Sequence, residues 1–200
     1  MEKNGLKIPG TDKIIGGDDV FVIAEIGKNF IQTEEERSKE EYLQNAKDLI
    51  DAAVNAGADA VKFQTHEVED EQLDIDITSP HFQGSDRYSW VTRNTNATPL
   101  ETFLKPLKAY CDQKGIIFFS TPMSKYAAQK LQKIDVPFWK VGSGDVQDNV
   151  TLDYMIATGK PIIISSGMVS LAELDQVIYY ITSKGSPLVV FYCISQYPCP

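Results

Sequence analysis

Short runs of consecutive apolar residues alternate along the chain with stretches in which apolar positions recur every three or four residues. The runs are FVIAEI (21–26), AVKFQ (60–64), and the segments 116–120, 138–141, 161–166 and 188–193. A continuous apolar run predicts a strand covered on both faces, as in parallel sheets. Between the first two runs, Leu43, Ala46, Leu49, Ile50, Ala53 and Val54 share one helical face, which stops at Gly57. Ser38-Lys39-Glu40-Glu41, Thr98-Pro99-Leu100-Glu101 and Ser170-Leu171-Ala172-Glu173 each read as a capping box that opens a helix. Pro106 should kink the helix that runs to Gly115, Ser124 should cap one through about 133, and a short helix should run from about 150 to Gly159. The polar connection 65–97 predicts a long functional loop, and residues 1–20 a small hairpin or cap.

Six strands alternating with five helices imply parallel β/α units with right-handed crossovers. No GxGxxG follows the first strand and no GxxxxGK[ST] occurs. Six strands are two short of a closed TIM-type (β/α)8 barrel, and the chain stops in a loop straight after the sixth. The expected fold class is therefore α/β, a TIM-type (β/α)8 barrel truncated after the sixth strand. The cap would occupy 1–20 and the partial barrel 21–200.

Polar residues gather at the carboxyl end of each run: Glu25, Lys62 with Gln64, Ser120 with Thr121, Lys140 with Ser143, Ser165 with Ser166, and Ser195 with Tyr197. Ligands bind there in barrels and in open parallel sheets alike. The stretch VPFWKVGSGD (136–145) is the densest instance. It sets a cation, a hydroxyl, turn amides and the Asp145 carboxylate within a few residues, the parts of an anion site with an acid or base beside it. Lys140 could instead snorkel from a strand end, and Gly142–Gly144 could be only a turn. Six such strand ends in succession favour the ligand reading.

Composition narrows the partners. The net charge of −9 repels phosphate backbones and argues against nucleic acid or an anionic membrane, while leaving room for a small anion held by a few lysines. No apolar run reaches 18 residues and the N-terminus lacks an apolar signal region, so a cytoplasmic location is expected. Cys111, Cys193 and Cys199 are odd in number and fit free thiols in a reducing compartment.

Six motifs together resemble the N-acetylneuraminate (sialic acid) synthase family: AEIGKN (24–29), DAAVNAGADAVKFQTHEVEDE (51–71), FSTPMS (119–124), VPFWKVGSGD (136–145), TGKPIIISSGM (158–168) and CISQYPCP (193–200). Enzymes making pseudaminic and legionaminic acids share them. The resemblance implies condensation of phosphoenolpyruvate with an N-acyl amino sugar aldehyde, such as N-acetylmannosamine, to a nonulosonic acid with release of phosphate. It implies Lys62 and Lys140 as cations, Thr121, Ser143 and Ser165 as hydroxyl donors, and Gln64, Ser195 and Tyr197 as further ligand contacts. Glu25 and Asp145 are the acid/base candidates.

It further implies a divalent metal, Mn or Mg, held by histidines beyond residue 200, so no metal ligand is expected within residues 1–200. A C-terminal antifreeze-like domain, which in the family reaches the partner subunit's site in a homodimer, is likewise expected to be absent from residues 1–200. The 200-residue chain alone is expected to be inactive. Departures from the family pattern are Asp145 in place of glutamate, one methylene shorter, Phe30 in place of histidine, and Tyr192 where histidine is frequent.

Two other readings stand beside this one. A lysine on a barrel strand suits a Schiff-base aldolase with Lys140 or Lys62 as nucleophile. An incomplete barrel that only binds phosphate is the non-catalytic alternative. Two lysines among hydroxyls suit a doubly charged anion better than a Schiff base.

Overall fold

In the computed structural model, which describes residues 5–33, 35–75, 78, 86–196 and 198–199, the apolar runs form strands and the periodic stretches form helices. The chain divides into two compact units, one made of residues 22–135 and the other of 1–21 with 136–200. The segment expected as one partial barrel, 21–200, is thus shared between both.

Residues 1–21 carry an antiparallel pair, β1 (Leu6–Lys7) and β2 (Ile14–Ile15). Ile8, next to it, is fully buried.

The unit 22–135 is built on β3 (Ile23–Gly27), β4 (Ala60–Thr65) and β5 (Ile117–Pro122), parallel and in chain order. Helix α1 (Lys39–Asn55) joins the first two, its N-terminus capped by Ser38 Oγ, which accepts from Glu41 N at 3.1 Å. The rings of Phe30, Phe63, Phe103 and Phe118 are 0–1% exposed and pack in a chain, with centroids 6.2 Å (Phe30–Phe63), 4.8 Å (Phe30–Phe103) and 5.5 Å (Phe63–Phe118) apart. Phe30, the departure noted in the AEIGKN motif, is therefore a core residue.

The connection 65–97 differs from the loop expected of it. It carries α2 (Val68–Glu71) and α3 (Arg87–Ala97), the latter capped by Asp86 through Ser89 N at 2.8 Å. Their polar sequences hid them, because α3 buries only Val91, Asn94 and Ala97. Thr98 does not open the next helix. Its Oγ1 donates to the Asn94 carbonyl at 3.0 Å and so closes α3. A single π-helical turn, Leu100–Leu104, follows Pro99 and runs into α4 (Lys105–Lys114). Pro106 supplies no N–H to the preceding turn, and the wider π turn falls where its missing bond would be. Helix α5 (Lys125–Gln132) begins as expected with Ser124 Oγ accepting from Ala127 N.

The rest of the other unit repeats the plan with β6 (Trp139–Val141), β7 (Ile162–Ser165) and β8 (Leu188–Phe191), again parallel and in chain order. Helix α6 (Asn149–Ala157) starts on Asp148, and α7 (Leu171–Thr182) on the complete Ser170–Glu173 capping box. Trp139, fully buried, donates its indole N–H to Thr158 Oγ1 at 2.8 Å. Ile162, Ile163 and Ile164 in the central strand are fully buried, which explains their unbroken apolar run. No helix among the described residues is long and apolar enough to cross a membrane.

Candidate functional site

In the unit 22–135, strand register places Glu25 opposite Lys62, and Gln64 opposite Thr121. Lys62 Nζ lies 2.6 Å from Glu25 Oε2 and donates to Thr121 Oγ1 at 3.1 Å. The lysine side chain is 12% exposed and the glutamate 51%, so the acid is the partner that faces solvent. The β3–β4 pairing slips between Glu25 and Gly27, a β-bulge with Gly27 at φ +57°. That left-handed conformation suits glycine, and a Cβ there would stand 3.1 Å from Glu25 Oε1 and 3.8 Å from Gln64 Nε2. The bulge thus brings backbone close beneath Glu25 and Gln64. Four of the expected residues, Glu25, Lys62, Gln64 and Thr121, meet at this strand end.

The other unit repeats the construction. Lys140 is 5% exposed, and its Nζ donates to Ser165 Oγ at 2.5 Å and to the Val141 carbonyl at 2.6 Å. Phe191 of β8 lies beside it, the ring centroid 5.9 Å from Nζ. The snorkelling alternative therefore gives way: the amine ends on a buried hydroxyl. Ser143 Oγ accepts from Gly167 N at 3.2 Å, and Ser195 stands against the same glycine. Asp145 closes a turn by donating N–H to the Gly142 carbonyl at 3.1 Å, and its Oδ2 lies over Gly142, where a Cβ would come within 2.9 Å. Ser166 takes no part in the cluster, because its hydroxyl donates to the Phe191 carbonyl at 3.0 Å. Tyr197 lies outside the described residues.

Replacing Gly167 by alanine tests this convergence. The new methyl would overlap Ser195 Oγ and stand 3.0 Å from Ser143 Oγ. An overpacked site costs about 1–3 kcal/mol, which here falls on the two hydroxyls, so a roughly five- to hundredfold loss of ligand affinity is expected with little loss of fold. Calorimetric titration of the variant against the parent measures it.

Sequence reasoning missed a second, buried cluster in the unit 22–135. His66, 2% exposed, makes a 2.7 Å bond from Nδ1 to Glu71 Oε2, and its Nε2 is 3.2 Å from Lys28 Nζ. Lys28 Nζ also sits 3.1 Å from the Trp90 ring centroid, and Arg87 reaches Glu71 Oε1 at 3.7 Å. Burial holds the His66 pKa below its usual value, against the opposing bond to Glu71. Burial likewise pulls Lys28 down to about 7, with Glu71 acting the other way and Arg87 adding to the fall. A lysine beside the bulge glycine and a histidine straight after a strand were the available signals.

These shifts fix a pH dependence of stability. Both folded values lie below the unfolded ones, so the unfolded chain binds more protons, and stability rises with pH. The Lys28 contribution is complete above its ordinary 10.5 and is lost as pH falls to about 7; that of His66 is lost as pH falls below 6.5. Urea midpoints should therefore increase from pH 5.5 to 9, and Lys28→Met should flatten the part above neutrality.

The family model described as NeuB family matches residues 49–200, three quarters of the chain. The chain belongs to the NeuB family. The N-acetylneuraminate-9-phosphate synthase of Mus musculus is 34% identical to this NeuB chain over 188 residues, covering 92% of the chain and 49% of the mouse protein. The N,N'-diacetyllegionaminic acid synthase of Legionella pneumophila is 30% identical over 203 residues, covering 98% of the chain and 53% of that protein. The crystal structure of N-acetylneuraminic acid (sialic acid) synthetase from Leptospira borgpetersenii superposes with a TM-score of 0.76 at 26% identity, covering 98% of this chain and 62% of that one. The NeuB chain thus spans about half the length of these curated relatives.

Proposed function

We propose that this NeuB chain forms the phosphoenolpyruvate-binding part of a synthase that joins phosphoenolpyruvate to an N-acyl amino sugar aldehyde, such as N-acetylmannosamine, and releases phosphate. The observation that carries the reading is a repeated one. Lys62 and Lys140 each project from a parallel strand and donate to a hydroxyl on the next strand, Thr121 and Ser165. A cation paired with a neutral donor at a strand's carboxyl end suits a phosphate or carboxylate oxygen. The six-of-eight-strand TIM-type barrel and a homodimer belong to the same proposal.

In the reaction, C3 of the enol attacks the aldehyde carbon, whose oxygen takes up a proton. Water adds to C2, and phosphate leaves with its bridging oxygen as the C2 ketone forms. Lys62 and Lys140 hold the anionic groups, Ser143, itself held by the amide of Gly167, orients them, and Glu25 and Asp145 move the protons. The divalent Mn or Mg ion that the family resemblance implies would polarise the aldehyde. Among the described residues no three His, Cys, Asp or Glu side chains gather that could hold it.

The deciding experiment supplies the full-length protein with phosphoenolpyruvate labelled with oxygen-18 in the bridging position and with N-acetylmannosamine. Labelled phosphate and a nonulosonic acid should appear together; no phosphate release would overturn the reading. Borohydride trapping with pyruvate tests the aldolase alternative. The Lys62–Glu25 ion pair counts against it, since its nucleophile must be a neutral amine.

A further inference from the structure

In the buried cluster of the unit 22–135, the hydrogen-bond partners fix the tautomer of His66. An ammonium carries donors only, so a Lys28 ammonium 3.2 Å from His66 Nε2 requires a lone pair on that nitrogen. The ring proton then sits on Nδ1 and is donated to Glu71 Oε2 at 2.7 Å. Glu71 is 5% exposed and is fixed in turn by Arg87, whose Nε donates to Gln72 Oε1 at 2.7 Å. The result is a directed chain of hydrogen bonds, Lys28 to His66 to Glu71, walled by Trp90.

Its placement gives it a task. Lys28 follows the bulge glycine of β3 directly, and His66 follows the last residue of β4. The Lys28–His66 contact is therefore a second bridge between the ends of the same two strands, beyond the Glu25–Lys62 pair. The bulge between Glu25 and Gly27 breaks the regular ladder where Glu25 must be aimed. With a bridge on each side, the bulged segment is held at both ends.

We propose that Lys28, His66 and Glu71 form a positioning relay that holds the bulge and so fixes Glu25 against Lys62 in the phosphoenolpyruvate site. The proposal rests on the reading that Glu25 and Lys62 serve that reaction. None of the three relay residues need touch substrate. The groups that face the relay are Lys28, His66, Glu71 and Arg87, with the Trp90 ring and the Gln72 amide. Losing the Lys28 proton near neutrality removes the charge that strengthens its bond to His66 Nε2, while the neutral amine still donates, so the strength of the relay depends on pH as well as on packing.

The test compares the full-length protein with Lys28→Met, Lys28→Arg and Glu71→Gln variants. Misplacing a reacting group by about 1 Å costs up to roughly a hundredfold in rate. Lys28→Met and Glu71→Gln should thus lower kcat for the phosphoenolpyruvate condensation about ten- to a hundredfold while KM for phosphoenolpyruvate stays close to the parent's and the melting temperature does not fall. Lys28→Arg should recover part of the loss, and the limb of the kcat–pH profile near neutrality should vanish in Lys28→Met. Unchanged kcat and pH profile in Lys28→Met overturns the proposal. So does a loss of rate that tracks a loss of melting temperature in every variant and leaves the profile's shape alone. The His66 ring is also read without turnover, by nitrogen-15 NMR with His66→Asn as the assignment. A neutral ring protonated at Nδ1 supports the relay, and one protonated at Nε2 or charged at pH 7 overturns it. Parent protein without phosphoenolpyruvate turnover would sink the proposed function, and the NMR result would then decide the relay by itself.

Discussion

Lys140→Met in the full-length protein should lower kcat/KM for phosphoenolpyruvate by about thirty- to a thousandfold, equivalent to roughly 2–4 kcal/mol. Methionine keeps the length and apolar stem of the side chain, so the buried volume is nearly preserved. What disappears is the cation that donates to Ser165 Oγ and to the Val141 carbonyl. The anion loses a charge-assisted bond, and Ser165 loses the group that orients it. Steady-state kinetics together with equilibrium binding of phosphoenolpyruvate measure the effect. A kcat/KM within about threefold of the parent's would remove Lys140 from the site.

Phe63→Ala should be the most damaging core substitution in the unit 22–135. Its ring is 1% exposed and bridges Phe30, 6.2 Å away, and Phe118, 5.5 Å away, from the middle of the central strand β4. Deleting a buried phenylalanine side chain costs about 3–5 kcal/mol, out of a total stability of about 5–15 kcal/mol. The rings on either side belong to separate segments, so neither closes the cavity without moving its own backbone. Urea unfolding followed by the near-ultraviolet signal of the aromatic residues should show a midpoint displaced by more than about 1 M.

The alternation of strands and helices was legible because β4 to β7 are buried along most of their length. Ile162–Ile164 and Phe118–Phe119 leave no polar position to interrupt the run. Lys62 and Lys140 were legible for the opposite reason: a charge inside such a run needs a partner. The partners themselves could not be read in advance. That Lys62 meets Thr121 and Lys140 meets Ser165 depends on register, which periodicity leaves open. Helix α3 escaped notice because its side chains are spent on single polar contacts, such as Asn94 Nδ2 to the Trp90 carbonyl at 2.7 Å, and not on an apolar face. Thr98 misled because Thr-Pro-Leu-Glu satisfies the capping pattern, while the threonine hydroxyl bonds backward to Asn94. The Lys28–His66–Glu71 cluster joins residues from the ends of two strands and a helix, and no local pattern announces it.

The aromatic core around Phe30 restricts which side chains that position tolerates. Its ring contacts Tyr42, Phe63 and Phe103, each from a different part of the chain, and is fully buried. An imidazole placed there would meet three aromatic rings, and its buried N–H left without a partner would cost about 1–3 kcal/mol. Position 30 in this core therefore strongly favours an apolar ring over an imidazole, a bias that Phe30→His would expose as a lowered urea midpoint.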